Sequence, residues 1–203
     1  MAAGVIIAGG EGRRLGGVLK SELQIGGVRL IDRVAARLAG CSPLLVLHGR
    51  HEAAGLSLPT KAIAVPDLES DYGGPLAGLA AAVEWLGAAG WSGELVLSAV
   101  DTPFLPEDYA ARLLAALAAA PAAMASAGGQ PYPTNSAWRL AAISGLPEEV
   151  RAGTAPRSLK RLAERLGAVE VSWPIGTKGD PFANANTPED LAQLEERARR
   201  SGQ

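Results

Sequence analysis

Short apolar runs alternate with helix-forming stretches along most of the chain, and that alternation leaves few architectures open. The runs at residues 4–8, 43–48, 62–65, 94–100, 122–126 and 168–173 are mostly continuous, as expected for strands covered on both faces. Residues 30–39, 76–88, 107–119, 156–166 and 187–200 read as helices between them. The last opens with Thr187-Pro188-Glu189-Asp190: a capping hydroxyl, proline at the first helical position and acids in the first turn. Such alternation predicts a three-layer α/β domain built on a mostly parallel sheet. A length of 203 residues, 48% of them apolar, suits one domain with a real core. After residue 127 the composition shifts. Gly128-Gly129-Gln130-Pro131-Tyr132-Pro133-Thr134-Asn135 is turn-rich and reads as a loop, as do residues 173–181. The expected organisation is a single domain over 1–203, with halves 1–127 and 128–203 sharing one sheet.

Charge and cysteine usage exclude several roles. A net charge of -2 without a polybasic block argues against nucleic-acid and anionic-membrane partners. Cys41 stands alone, so no disulfide forms within the chain, and His48 and His51 are too few for a histidine-based zinc site. No stretch approaches the roughly 20 apolar residues of a membrane span. The first apolar run is short and has no basic segment before it, unlike a signal peptide, so a cytoplasmic location is expected.

Function is written most densely near the N-terminus. Gly4-Val5-Ile6-Ile7-Ala8 breaks into Gly9-Gly10-Glu11-Gly12-Arg13-Arg14-Leu15-Gly16-Gly17, and Lys20 follows. Glycines let backbone N–H groups approach anionic oxygens, and cations neutralise phosphate charge. A dinucleotide fingerprint would need glycine where Leu15 stands, and a Walker A loop would need glycine where Leu19 stands, before Lys20-Ser21. Two or three glycines would suit a simple strand–turn–helix junction. Five glycines and three cations within twelve residues favour a phosphate cradle of another kind.

The stretch from Ile6 to Lys20 resembles the signature loop of nucleotidyltransferases, and Gly16-Gly17 before Val18-Leu19-Lys20 resembles the molybdenum cofactor guanylyltransferases, the MobA family. The resemblance implies a Rossmann-like nucleotidyltransferase fold, with a nucleotide-binding half (1–127) and an acceptor-substrate half (128–203). It implies that Ile7, Ala8 and Gly9 hold GTP, and that Lys20 contacts its phosphates. On this reading Gly9, Gly10 and Gly12 offer backbone donors, and Arg14 joins Lys20 in offsetting charge. Arg13 is the weaker member of the arginine pair, because adjacent side chains point apart.

Downstream segments extend the resemblance in the same order. Val100-Asp101-Thr102-Pro103-Phe104 ends an apolar strand with a carboxylate. By itself Asp101 suits either a divalent ion that bridges phosphates or a cap for a helix opening at Pro106-Glu107-Asp108. The resemblance assigns it to Mg²⁺. In the stretch from Pro66 to Leu79, Asp67 matches the family's guanine-nucleotide aspartate, whereas Asp71, beside the glycines, reads as a helix cap. An aspartate can accept both N1–H and N2–H of guanine. Asn184-Ala185-Asn186-Thr187-Pro188-Glu189-Asp190-Leu191 resembles the family's closing segment. Amides two residues apart on an extended chain share one side, so Asn184 and Asn186 are expected to face the site, orienting a metal water or a phosphate while Thr187 caps the helix. Gln130-Pro131 and Trp138-Arg139-Leu140 resemble the pterin-receiving half. Arg139, Arg157, Lys160 and Lys178 are basic candidates there, although as solvated surface residues they need no such role.

Two positions depart from the family pattern: Leu19 replaces an aspartate before the lysine, and His48 replaces an asparagine that contacts the nucleotide. The implied reaction joins GMP from GTP to molybdopterin, with Mg²⁺, releasing pyrophosphate. Other cofactor-biosynthesis proteins are the implied partners. The alternatives are a transferase using CTP on the same acceptor, a sugar- or alcohol-phosphate nucleotidyltransferase, or a non-catalytic nucleotide-binding homologue.

Overall fold

The computed structural model describes residues 1–9, 11–12, 18–49, 55–72, 74–177 and 179–201. Its strands are β1 (Ala3–Ile7), β2 (Glu11–Gly12), β3 (Val18–Leu19), β4 (Gln24–Ile25), β5 (Val28–Arg29), β6 (Leu44–His48), β7 (Ala62–Pro66), β8 (Glu94–Ala99), β9 (Ala122–Ala127), β10 (Gln130–Arg139) and β11 (Val169–Trp173). Its helices are α1 (Leu30–Arg37), α2 (Pro75–Ala88), α3 (Tyr109–Ala116), α4 (Leu146–Arg151), α5 (Leu159–Arg165) and α6 (Pro188–Ser201). Seven strands form the central sheet in the order β11-β9-β10-β8-β1-β6-β7. Every neighbouring pair is parallel except the two made by β10.

Strand alternation sends the core two ways. Ile6, Val46 and Val96 pack with Leu30, Ile31 and Val34 of α1, Leu113 of α3 and Leu194 of α6. Val5, Leu45 and Leu97 pack on the other face with Leu79 and Val83 of α2, Val150 of α4 and Leu162 of α5. The result is the expected three-layer α/β architecture, and its sheet takes β10 and β11 from the second half of the chain.

The turn-rich segment 128–135 proves to be mostly strand. Gly128 and Gly129, with φ of 56° and 79°, make a tight hairpin turn, and β10 follows at once. Pro131 is tolerated because residues 130–132 pair only with β9, leaving that edge free of a ladder that would need its missing N–H. The register then slips: Tyr132 pairs with Ala125 but Ser136 pairs with the adjacent Met124, so residues 133–135 form a bulge.

Two further expectations are corrected. The short helix α4 was not anticipated. Asp71 does not cap α2, whose N-cap is Gly74 with a φ of 70° and no side-chain cap bond. At α5, Ser158 accepts from Arg161 N at 3.2 Å, so the helix starts at Leu159 and not at Pro156.

Candidate active site

Parallel strands deliver their loops to one end of the sheet, and in open α/β sheets ligands bind there. β1 empties into Ala8 and Gly9, β6 into Gly49, β7 into Asp67, and β8 into the turn carrying Asp101. The strand exits are stitched together. Ala8 N donates to Leu47 O at 2.8 Å, Asp67 N to His48 O at 2.9 Å, and Val100 N to Ile7 O at 3.0 Å. Ile7, Ala8, Gly9, His48, Asp67 and Asp101 therefore share one rim.

Past β1 the chain folds back on itself. Glu11 pairs with Leu19, and Gly12 with Val18, in a small antiparallel ladder. This return sets Lys20 over the sheet end. Lys20 Nζ donates to Asp101 Oδ2 at 2.8 Å and to Asn186 Oδ1 at 2.5 Å. The side chains of Lys20 and Asp101 are each 17% exposed, so water screens the pair only in part. Asp101 is occupied by this ion pair, and the residue at the start of α3 is Asp108, so Asp101 is not a helix cap.

Asn186 is held by the C-terminal segment. Phe182 and Ala185 are fully buried, and Ala185 N donates to the backbone oxygen of Asp101 at 3.0 Å. Thr187 caps α6 as expected: its hydroxyl accepts from Asp190 N at 3.1 Å, while Asp190 Oδ2 accepts from the backbone N–H of Thr187 and Asn186. This reciprocal box fixes the direction in which the chain enters the helix. Asn184 is not drawn to Lys20. Its Oδ1 is buried without a hydrogen-bond partner among the described residues.

His48 is 6% exposed, and its Nδ1 lies 2.9 Å from Gly49 O. A carbonyl oxygen only accepts, so Nδ1 carries a proton and donates to it. Asp67 lies against α2, where a Cβ on Gly78 would come within 3.1 Å of its Oδ1. Glycine at position 78 thus makes room for the carboxylate that the preceding strand delivers.

Sequence reasoning missed Asn135. This fully buried residue of the β10 bulge accepts on Oδ1 from Ala99 N at 3.4 Å and from the Thr102 hydroxyl at 3.3 Å, directly beneath the Asp101 turn. A loop reading of residues 128–135 hid it. Another unanticipated feature is the aromatic group of Tyr109, Tyr132, Trp173 and Phe182, whose neighbouring ring centroids lie 5.0–6.2 Å apart. Tyr132 donates to Asp180 at its edge, and burial, reinforced by that carboxylate, leaves the phenol pushed up to about 12.

The pterin-half motif is split by its strand. Gln130 stands at the end of β10 next to the site, whereas Arg139 pairs with Glu94 at the opposite end of the sheet and donates to Leu117 O at 2.5 Å. Trp138 is a core residue, 1% exposed. Arg139 is therefore removed as an acceptor-site candidate. Arg157 stacks on Tyr72, its guanidinium 5.0 Å from the ring centroid, and Lys160 is exposed on α5. Gly10, Arg13, Arg14, Gly16, Gly17 and Lys178 lie outside the described residues.

Among the described residues no group of three or more His, Cys, Asp or Glu could hold a metal ion. What the site offers instead is one carboxylate and one amide oxygen, already gathered about the Lys20 ammonium. Hard divalent cations such as Mg²⁺ take oxygen ligands and commonly use one or two carboxylates plus substrate phosphates. Asp101 Oδ2 and Asn186 Oδ1 fit that demand. Among the described residues no helix is long and apolar enough to cross a membrane.

Comparison with known proteins bears on the fold and the family. Residues 4–170 match the MobA-like NTP transferase domain. The chain is similar to the molybdenum cofactor guanylyltransferase of Rhodobacter capsulatus, 41% identical over 202 residues that cover 98% of this chain and 97% of that protein. A protein of the same name from Bradyrhizobium sp. (strain ORS 278) is 37% identical over 203 residues, covering 95% of this chain and 91% of its own length. Among solved structures, the molybdopterin-guanine dinucleotide biosynthesis protein A of Archaeoglobus fulgidus superposes with a TM-score of 0.73 at 26% identity, covering 98% of this chain and 99% of that one.

Proposed function

The chain belongs to the MobA-like NTP transferase family, and on that premise we propose that it joins the GMP of GTP to molybdopterin and releases pyrophosphate. The observation that carries this reading is the convergence of Lys20, Asp101 and Asn186 from segments 81 and 166 residues apart in sequence.

The terminal phosphate of molybdopterin attacks the α-phosphorus of GTP. One phosphorus–oxygen bond forms to the acceptor, and the bond to the β-phosphate breaks, with its electron pair leaving on pyrophosphate. A phosphate monoester is already a nucleophile, so no covalent enzyme intermediate is required. The protein's task is positioning and charge neutralisation. Backbone groups at Ala8 and Gly9 receive the nucleotide, with Gly10 and Gly12 extending the cradle. Lys20 and Arg14 offset charge on the triphosphate and on departing pyrophosphate. Asp67 receives the guanine edge, and His48 faces the nucleotide from the end of β6. Asp101 and Asn186 would hold Mg²⁺, which when bound supplies charge neutralisation and orientation of the phosphates. Asn184, whose buried oxygen has no hydrogen-bond partner among the described residues, faces the acceptor phosphate or its water shell.

Pyrophosphate release, measured with each of the four nucleotides in the presence and absence of molybdopterin, tests this function. Release is expected with GTP, only when the acceptor is present, and only with a divalent ion. A CTP-specific profile would assign the chain to the sibling reaction. Nucleotide binding without release would make it a binding protein.

A further inference from the structure

We infer that Asn135 is a positioning residue for Asp101: its buried carboxamide fixes the turn that presents the metal-binding carboxylate. The inference rests on the reading of Asp101 given above.

Asn135 occupies a place where the sheet runs out of backbone partners. β8 pairs with β10 from Glu94 to Leu97, the latter opposite Ser136, and the β10 bulge then removes the next partner. On its other side β8 stays paired with β1 as far as Ala99. The N–H groups of a strand alternate between its two neighbours. Val100 N accordingly reaches Ile7 O on the β1 side, and Ala99 N faces the β10 side with no ladder acceptor. Asn135 Oδ1 fills that place at 3.4 Å. A buried N–H left without a partner is destabilising, so the side chain stands in for the missing strand.

The Thr102 hydroxyl donates its single proton mainly to Ala99 O at 2.7 Å, with the same Asn135 oxygen as a second, longer acceptor at 3.3 Å. Residues 99 and 102 are thereby closed onto one amide. Asp101 sits between them, held on its outer side by Lys20 and Ala185 N. The turn that carries the carboxylate is held from both sides.

One detail separates this role from ordinary packing. Asn135 is fully buried, yet its Nδ2 has no hydrogen-bond partner among the described residues. An amide chosen for stability alone would satisfy both its ends. Here the oxygen is used, the nitrogen is left unsatisfied, and the bulge that brings the residue in sits beside the site. Bulges commonly re-aim side chains next to active sites. Thr102 and Asn135 thus form a support behind Asp101, the kind of outer layer that orients a metal ligand.

The test uses Asn135→Leu, which keeps the branched shape but removes both polar ends, and Thr102→Val, with Thr102→Ser as the conservative variant. Three quantities are read on the full-length protein: melting temperature, kcat and KM for GTP, and Mn²⁺ affinity by EPR titration without nucleotide. Asn135→Leu and Thr102→Val should each lower kcat and Mn²⁺ affinity by about tenfold or more. KM for GTP should stay within about twofold, and the melting temperature of Asn135→Leu should fall only modestly, because removal of the unsatisfied N–H₂ offsets part of the cost of leaving Ala99 N–H without its acceptor. Thr102→Ser should recover both kcat and Mn²⁺ affinity. Wild-type kcat and metal affinity in both Asn135→Leu and Thr102→Val would overturn the inference, as would a drop confined to melting temperature. If Asn135→Leu fails to fold, the Thr102 pair decides alone. Asp101→Asn separates the two layers of the argument. Unchanged Mn²⁺ affinity in that variant would defeat the reading of Asp101 itself, whereas loss there with no effect at Asn135 and Thr102 would defeat only their role.

Discussion

Replacing Lys20 with methionine keeps most of the side-chain stem and removes the ammonium shared by Asp101 and Asn186. Two unit charges 2.8 Å apart attract by about 6 kcal/mol at an effective dielectric of about 20. Desolvation and the ordering of a long side chain offset most of that attraction, leaving about 1.5–3 kcal/mol, the range of hydrogen bonds to charged groups. At 1.36 kcal/mol per decade this is about a 13- to 160-fold change in an equilibrium constant. The two measurable consequences have opposite signs. Without nucleotide, the ammonium competes with a divalent ion for the same two oxygens, so Lys20→Met should bind Mn²⁺ about 13- to 160-fold more tightly. With substrates bound, the variant lacks the cation that offsets charge on the leaving group, and kcat should fall about 10²- to 10³-fold, the cost of losing one preorganised donor. EPR titration of the free protein reads the first effect, and pyrophosphate release at saturating GTP reads the second. Mn²⁺ affinity that stays constant or weakens in Lys20→Met would refute the reasoning, because Lys20 and the metal would then not share Asp101 and Asn186.

Other parts of the account can be checked separately. Asp67→Ala should reduce the preference for GTP over ATP by about tenfold or more in a competition assay, since two base hydrogen bonds are lost; an unchanged preference would take Asp67 out of base reading. Phe182→Ala empties a fully buried ring site that anchors the Asn184–Asn186 segment, and should lower stability by about 3–5 kcal/mol in urea unfolding. A loss below about 1 kcal/mol would mean that the segment is anchored elsewhere. Tyr132, its phenol pushed up to about 12 by burial and by Asp180, is held neutral by the fold. Its contribution to stability is complete below the unfolded phenol value of about 10 and is lost as the pH rises through about 12. The wild type should therefore lose more stability than Tyr132→Phe over that alkaline window, and equal losses would count against the pairing.

What could be read from residues alone follows a physical division. Local signals located β1, β6, β8 and the Thr187 cap, because continuous apolar runs and capping chemistry act within a few residues. β10 was hidden because Pro131, Pro133 and two glycines are loop signals, and only its one-sided pairing explains why a strand tolerates them. The place of Arg139 was unreadable for a related reason: β10 runs against its neighbours, and its direction decides which end of the sheet a residue reaches. Motif resemblance brought Lys20, Asp101 and Asn186 to attention together, but not the hydrogen bonds that join them across 81 and 166 residues. Asn135 had no local signature, since its role exists only once a register slip places it beneath Asp101.

The proposed reaction is attack on the α-phosphorus of GTP at a centre formed by Lys20, Asp101 and Asn186. Incubation of the protein with molybdopterin and GTP labelled at either the α- or the γ-phosphate tests it most directly. The account predicts that α-label enters a molybdopterin–guanine dinucleotide product, that γ-label leaves as pyrophosphate, and that neither happens in Asp101→Asn. Transfer of γ-label to the acceptor, or undiminished dinucleotide formation in Asp101→Asn, would contradict it.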